Sequence, residues 1–150
     1  MENSIDLAAN LCKKFEGCYL RPYLCPAGIP TIGYGSTHYD SGIKVTLSDA
    51  EITKDRALEL LMFELERICL PQVKKLLPID MSDGQLAAML DFTYNLGAGN
   101  LKASTMRKRI LNYDWDGAED ELMKWVKGGG KVLKGLVSRR KAECELIKKP

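Results

Sequence analysis

The sequence holds one histidine, and its apolar runs are only a few residues long. Spanning a bilayer takes about 20 consecutive apolar residues, so no transmembrane helix is predicted. The five cysteines are an odd number and not the even, dense set of a small secreted scaffold. They read as reduced thiols of a chain made in the cytoplasm. Cys12, Cys18 and Cys25 with His38 lack the closely spaced cysteine pair of a zinc clip, so no metal site is expected. Met1-Glu2-Asn3-Ser4-Ile5-Asp6 offers neither a basic n-region nor an apolar stretch, so no signal peptide is expected. Internal repeats and low-complexity segments are also missing.

What is present is ordinary in amount and uneven in placement. A chain of 150 residues is the size of one domain and can bury a core without disulfide staples. Its 45% hydrophobic and 28% charged residues fit a globular protein. The net charge of +2 hides a gradient. Residues 1–101 carry 9 Lys/Arg against 13 Asp/Glu, a net of −4, and residues 102–150 carry 13 against 7, a net of +6. The basic part either attracts an anionic polymer or is a solvated helix face. It comes with no recognised nucleic-acid motif, so nucleic acid is not expected as a partner.

Ser4 opens a helix to about Phe15, with Ile5, Ala8, Ala9 and Cys12 at helical spacing. Residues 17–46 are rich in Gly, Pro, Tyr and β-branched types and predict a small antiparallel sheet of two or three strands. Ser48-Asp49-Ala50-Glu51 reads as a capping box for a long helix whose buried face is Ala57, Leu58, Leu61, Leu65 and Ile68. Pro71 should kink or end that helix. A second capping box, Ser82-Asp83-Gly84-Gln85, starts an apolar helix that Gly97 and Gly99 stop. Further helices are predicted from about Ser104, from about Trp115, and over Leu136 to Lys148, with Gly128-Gly129-Gly130 as a flexible joint. The chain then divides into an N-terminal helix and β lobe (about 1–47), a linking helix (about 48–76) and a helical lobe (about 77–150), all within one domain.

The most informative pattern is Glu16, then Cys25, then Thr31, running into Ile32-Gly33-Tyr34-Gly35. A glutamate ending a short helix faces a hairpin that carries two polar groups. Glycoside cleavage needs such an arrangement, with an acid for the leaving oxygen and a polar cluster for water. At a helix C-terminus a carboxylate opposes the helix dipole and has no obvious structural use.

These residues resemble the phage-type lysozymes, the endolysins (muramidases) of tailed phages, in a Glu-x8-Cys-x5-Thr variant. Phe92-Thr93-Tyr94-Asn95-Leu96-Gly97, Ser104-Thr105, and the segment from Gly135 through Arg139-Arg140 to Glu143 carry the likeness along nearly the whole chain. The resemblance implies an α+β, lysozyme-like fold: a small antiparallel sheet lobe and a larger helical lobe, joined by a long helix, with an active-site cleft between them. It implies hydrolysis of the β-1,4 bond between N-acetylmuramic acid and N-acetylglucosamine, without a cofactor. Glu16 is then the general acid, with a proton affinity raised by burial. Cys25 stands where the family commonly has Asp. A thiol ordinarily titrates near 8.5, and a nearby carboxylate should push it higher. Cys25 acts either by hydrogen-bonding the attacking water or as its minor thiolate fraction, and Thr31 holds the same water. Tyr34 is assigned to substrate binding as a sugar platform, with packing as the alternative, and Asn95 of the family's turn is likewise assigned to substrate binding. The basic residue that supports the lobe junction near Glu16 is one of the pair Arg139-Arg140; Arg140 is preferred and assigned to substrate binding. Where the family often has a histidine, this chain has Ser36, and His38 is expected to be exposed. The partner is peptidoglycan of a Gram-negative host, reached from the host cytoplasm by holin-dependent release, with the enzyme acting as a monomer in the periplasm and wall.

Three alternatives stay open. A lytic transglycosylase would use one Glu and the substrate's own hydroxyl. A Cys/His amidase would pair Cys25 with His38. A weak or inactive wall binder would follow if Cys25 cannot replace Asp.

Overall fold

The computed structural model describes residues 3–149. Helix α1 (Ser4–Glu16) is capped by Asn3, whose side chain accepts from the Asp6 N–H at 2.9 Å. Ile5, Ala8, Ala9 and Cys12 are buried on one face, as their spacing predicts. Gly17, at φ +70°, turns the chain out of the helix into β1 (Tyr19–Leu24). That strand pairs antiparallel with β2 (Pro30–Gly33), with a register irregularity between Tyr19 and Tyr23. Two isolated bridges, Ile32 to Ser36 and His38 to Lys44, extend this small lobe. Its own core is Ile32, Val45 and Leu60, with Tyr39 and Ile52 against it.

The long helix does not begin at the Ser48 capping box. Asp49 instead closes a turn, accepting from the Thr46 N–H at 2.9 Å and the Tyr39 hydroxyl at 2.7 Å. Glu51 turns outward to Arg21. Helix α2 (Lys54–Phe63) starts later, on Thr53, whose hydroxyl accepts from the Arg56 N–H at 3.0 Å. The linking helix is therefore shorter at its start than the sequence predicts.

Pro71 does not end the helix either. A π-helical stretch, Glu64–Cys69, leads directly into α3 (Leu70–Leu76). Proline offers no N–H and crowds the carbonyl four residues back, and a wider turn just before it relieves both problems. The extra residue shifts the buried face. Leu61, Leu65, Cys69 and Val73 are buried, whereas Leu58 and Ile68, predicted inside, are 36% and 44% exposed. Leu60 belongs to the small-lobe core and Leu61 and Leu65 to the main core, so this helix packs into both.

The main core surrounds α4 (Asp83–Leu96), which buries a continuous run from Ala87 to Thr93. Its capping box forms as predicted, with Ser82 and Gln85 exchanging bonds of 2.9 and 3.1 Å. Gly97, at φ +90°, ends it, but Gly99 lies inside the next helix, α5 (Ala98–Ala103). Helix α6 (Thr105–Leu111) is capped by Ser104, and α7 (Trp115–Leu122) by Asp114. The predicted glycine joint is a hairpin. Strands β3 (Lys127–Gly128) and β4 (Lys131–Val132) pair across Gly129 and Gly130, both at positive φ as a tight primed turn requires. Helix α8 (Lys134–Lys148) closes the core against α4 and buries Arg139, Arg140, Glu143, Cys144 and Ile147.

Gly84 shows how tightly α4 and α8 meet. A Cβ there would lie 2.0 Å from the Leu146 carbonyl oxygen. Alanine for glycine in an open helix stabilises by about 1 kcal/mol. Here overpacking against backbone reverses the sign, so Gly84→Ala should destabilise by about 1–3 kcal/mol. Urea unfolding checks this through a lower midpoint, and an unchanged or raised midpoint would contradict the contact.

Candidate active site

Glu16 is the last residue of α1, and its side chain is 24% exposed. Its position at a helix C-terminus would place negative charge against the dipole. Arg139 of α8 offsets this, donating from Nη1 to Glu16 Oε2 at 3.0 Å. The same guanidinium forks onto Asp91 of α4, with Nε to Oδ2 at 2.9 Å and Nη2 to Oδ1 at 2.8 Å. Asp91 is fully buried and Arg139 nearly so. Cys12 donates its thiol to Asp91 Oδ1 at 3.3 Å, and burial pushes that thiol far above its usual range. From the small lobe, Gly35 comes close: a Cβ there would sit 3.4 Å from the Glu16 carboxyl. Glycine at φ +92° lets backbone reach the acid where a side chain would intrude. Tyr94 of α4 locks this approach by donating its hydroxyl to the Tyr34 carbonyl at 2.5 Å.

Cys25 follows β1 at the start of the hairpin turn. Its N–H donates to the Ile29 carbonyl at 3.0 Å, and its carbonyl accepts from Gly28 at 2.8 Å. The sulfur is half-buried and lies within reach of the backbone N–H of Ile29 and of Ala27, and of the Thr31 hydroxyl. The Ile29 N–H is the largest influence and lowers the thiol's pKa below its ordinary value. This is opposite to the direction expected from sequence, because donors around the sulfur outweigh its modest burial. Thr31 is buried and donates to the Ile29 carbonyl at 2.8 Å. Its one hydroxyl hydrogen thus has two acceptors, that carbonyl and the Cys25 sulfur. The Tyr23 hydroxyl is pushed up by burial and then by Tyr19, Glu16 and Cys25, so it feels both the acid and the thiol.

Three sequence assignments change. Arg140 does not reach Glu16. It is fully buried, donates to Asn95 Oδ1 at 2.6 Å and pairs with Glu143 at 2.8 Å, so it braces the core and does not meet substrate. The helical phase of α8 aims Arg139, one residue earlier, at the acid. Tyr34 is buried in the main core, so it packs and is not an open sugar platform. Asn95 is half-buried at the end of α4, where its side-chain oxygen is taken by Arg140. His38 is exposed as expected, with its Nδ1 3.0 Å from Thr37 Oγ1, and it faces a groove lined by Tyr39 and Glu64 and not by Cys25. The Cys/His pairing is therefore not built. Sequence reasoning passed over Asp91, although a lone acid inside Leu86–Phe92 has to be paired if that helix is buried. Among the described residues, no His/Cys/Asp/Glu group is arranged to hold a metal.

The five thiols are all free and differ in character. Burial pushes Cys69 up to about 12 and Cys144 up to about 11. In the folded protein at pH 7, iodoacetamide should therefore modify Cys25 well before Cys12, Cys69 or Cys144. Peptide mass spectrometry over a time course checks the order, and Cys69 reacting first would contradict it.

The phage lysozyme family model matches residues 13–143. The endolysin of Bacillus phage B103 is 37% identical over 97% of this chain, which spans 54% of that relative's length. The SAR-endolysin of bacteriophage PS34 is 34% identical over 87% of this chain and 75% of its own. Among solved structures, an endolysin from Escherichia coli O157:H7 phage FAHEc1 superposes with a TM-score of 0.84 at 30% identity, covering 98% of this chain and 93% of the other. Sequence pattern, α+β architecture and these likenesses agree: the chain belongs to the phage lysozyme family, glycoside hydrolases of the endolysin type.

Proposed function

We propose that the chain is a single catalytic domain that hydrolyses the β-1,4 bond between N-acetylmuramic acid and N-acetylglucosamine, with inversion, and so lyses the phage's host. The observation that carries this reading is the partly exposed Glu16 carboxyl, held by Arg139 and met by the Gly35 backbone. Glu16 protonates the bridging oxygen as the bond to the anomeric carbon breaks. Cys25 and Thr31 hold a water on the opposite face. The Cys25 thiolate, favoured by its surrounding donors, takes a proton from that water as its oxygen attacks. Glu16 has then lost one proton and Cys25 has gained one, and exchange with solvent resets both. Every step uses side chains of this chain.

Among the described residues no helix is long and apolar enough to cross a membrane. We take the route to the wall to be holin-dependent release from the host cytoplasm. The partner is then peptidoglycan of a Gram-negative host, approached as a monomer. Lys108 and Arg109, on α6 in the basic part of the chain, are placed to favour an anionic wall.

Clearing of permeabilised Gram-negative cells tests the acid. Glu16→Gln keeps the shape of the side chain and removes the proton, so it should abolish clearing with unchanged thermal melting. Full clearing by this variant would remove Glu16 from the mechanism. Product stereochemistry tests Cys25: an α-anomer is expected, whereas a β-anomer with a trapped thioether adduct would make Cys25 the nucleophile, and an anhydro-sugar would indicate transglycosylation. Cys25→Asp should keep or raise activity, and Cys25→Ala should lose more.

A further inference from the structure

Asp91 is a fully buried acid to which the proposed reaction gives no task. Its position raises a question about Glu16. An acid that must arrive protonated lies 3.0 Å from a guanidinium that stays charged at any working pH. An opposite charge at such a distance ordinarily favours the ionised carboxylate by about one to three pKa units.

We propose that Asp91 is a positioning residue that takes up the charge of Arg139, so that the guanidinium orients the Glu16 acid through one N–H without pairing with it as an ion. The inference rests on the reading of Glu16 as the general acid. The geometry of the fork supports it. Asp91 takes the bidentate pair through Nε and Nη2, and Glu16 receives only the remaining Nη1. The bidentate carboxylate is the stronger partner of an arginine. Glu16 thus faces an ion pair of no net charge, which still offers one N–H to orient it.

Asp91 must stay ionised for this to work, and its surroundings provide for that. Burial alone would push it up, but hydrogen bonds from Glu143 and Arg139 outweigh burial and hold it below the usual carboxylate range. Burial, then Asp91, push the neighbouring Glu143 of α8 well above its ordinary value, while Arg140, paired with it at 2.8 Å, pulls the other way. Lys13 and Lys14 lie in the same last turn of α1 as Glu16, Glu64 acts on Tyr94 together with it, and three further titratable groups stand near the acid. They are Cys12 of its own helix, Tyr94 of α4 and Tyr23 of β1, each raised chiefly by burial. The charged group in hydrogen-bond contact with the acid is Arg139, and the carboxylate in bidentate contact with Arg139 is Asp91.

The test is the pH–rate profile of Asp91→Asn on a soluble peptidoglycan fragment. With Arg139 left uncompensated, the alkaline limb should move to lower pH by about one unit, costing about tenfold in rate on that limb and much less on the acid side. Adding Arg139→Gln removes the second charge and should bring the limb back. A uniform fall in rate with the limb fixed, or a double variant that does not restore it, would overturn the proposal. If Asp91→Asn does not fold, carboxyl carbon NMR of the wild-type protein decides. Asp91 should stay ionised from pH 8 to pH 4, and proton uptake by Asp91 in that range would overturn the idea. The underlying reading fails separately: an active Glu16→Gln sinks the acid assignment, whereas an inactive Glu16→Gln with a fixed limb in Asp91→Asn sinks only this inference.

Discussion

The arrangement of the site depends on one guanidinium. Arg139 reaches from the last helix through the main core to a carboxylate of the central helix and to the end of the first. An arginine of which 4% is exposed costs several kcal/mol to desolvate and is tolerable only with its donors taken. Meeting that requirement fixes how α1, α4 and α8 sit relative to each other. It also fixes where the Glu16 carboxyl leaves the helical lobe. The Glu16 carboxyl is therefore placed by rigid elements, while Cys25 and Thr31, proposed as its counterparts, come from a hairpin.

The two sides are joined by glycine and tyrosine. Gly35 brings the small lobe's backbone against the acid, and Tyr94 binds the adjacent carbonyl from the helical side. The Cys25 thiol is adapted to its place by backbone N–H groups, a device that needs no neighbouring cation. A thiol ringed by donors can approach the role of a carboxylate, because donors stabilise its charged form.

Part of this was legible in the sequence. The spacing of Glu16, Cys25 and Thr31 pointed to a candidate site and to the family, and the period of α1 and the second capping box located elements. The failures share a cause: residues whose role depends on contacts distant in sequence. Asp49 bonding to Thr46 and Tyr39 displaced the first helix start. Two adjacent arginines differ in role because their directions around α8 differ by about 100°, and no composition rule separates them. The direction of the Cys25 shift came from amides that only the folded turn presents. Glycines predicted as slack were the residues a two-residue hairpin turn requires.

The π-helical stretch before Pro71 also has a consequence for how the lobes are phased. It gives the helix one residue more than regular winding would hold, and the inward face on either side is set by that surplus. Leu60 and Leu61 serve the two cores before it, Leu65 and Cys69 carry the main core through it, and Val73 continues that core after it. Removing a single residue there would rewind the segment as regular helix and swing every later side chain by about 100°. The widened turn thus acts as a phase setting between two hydrophobic cores, and chain length in this segment is constrained as tightly as composition.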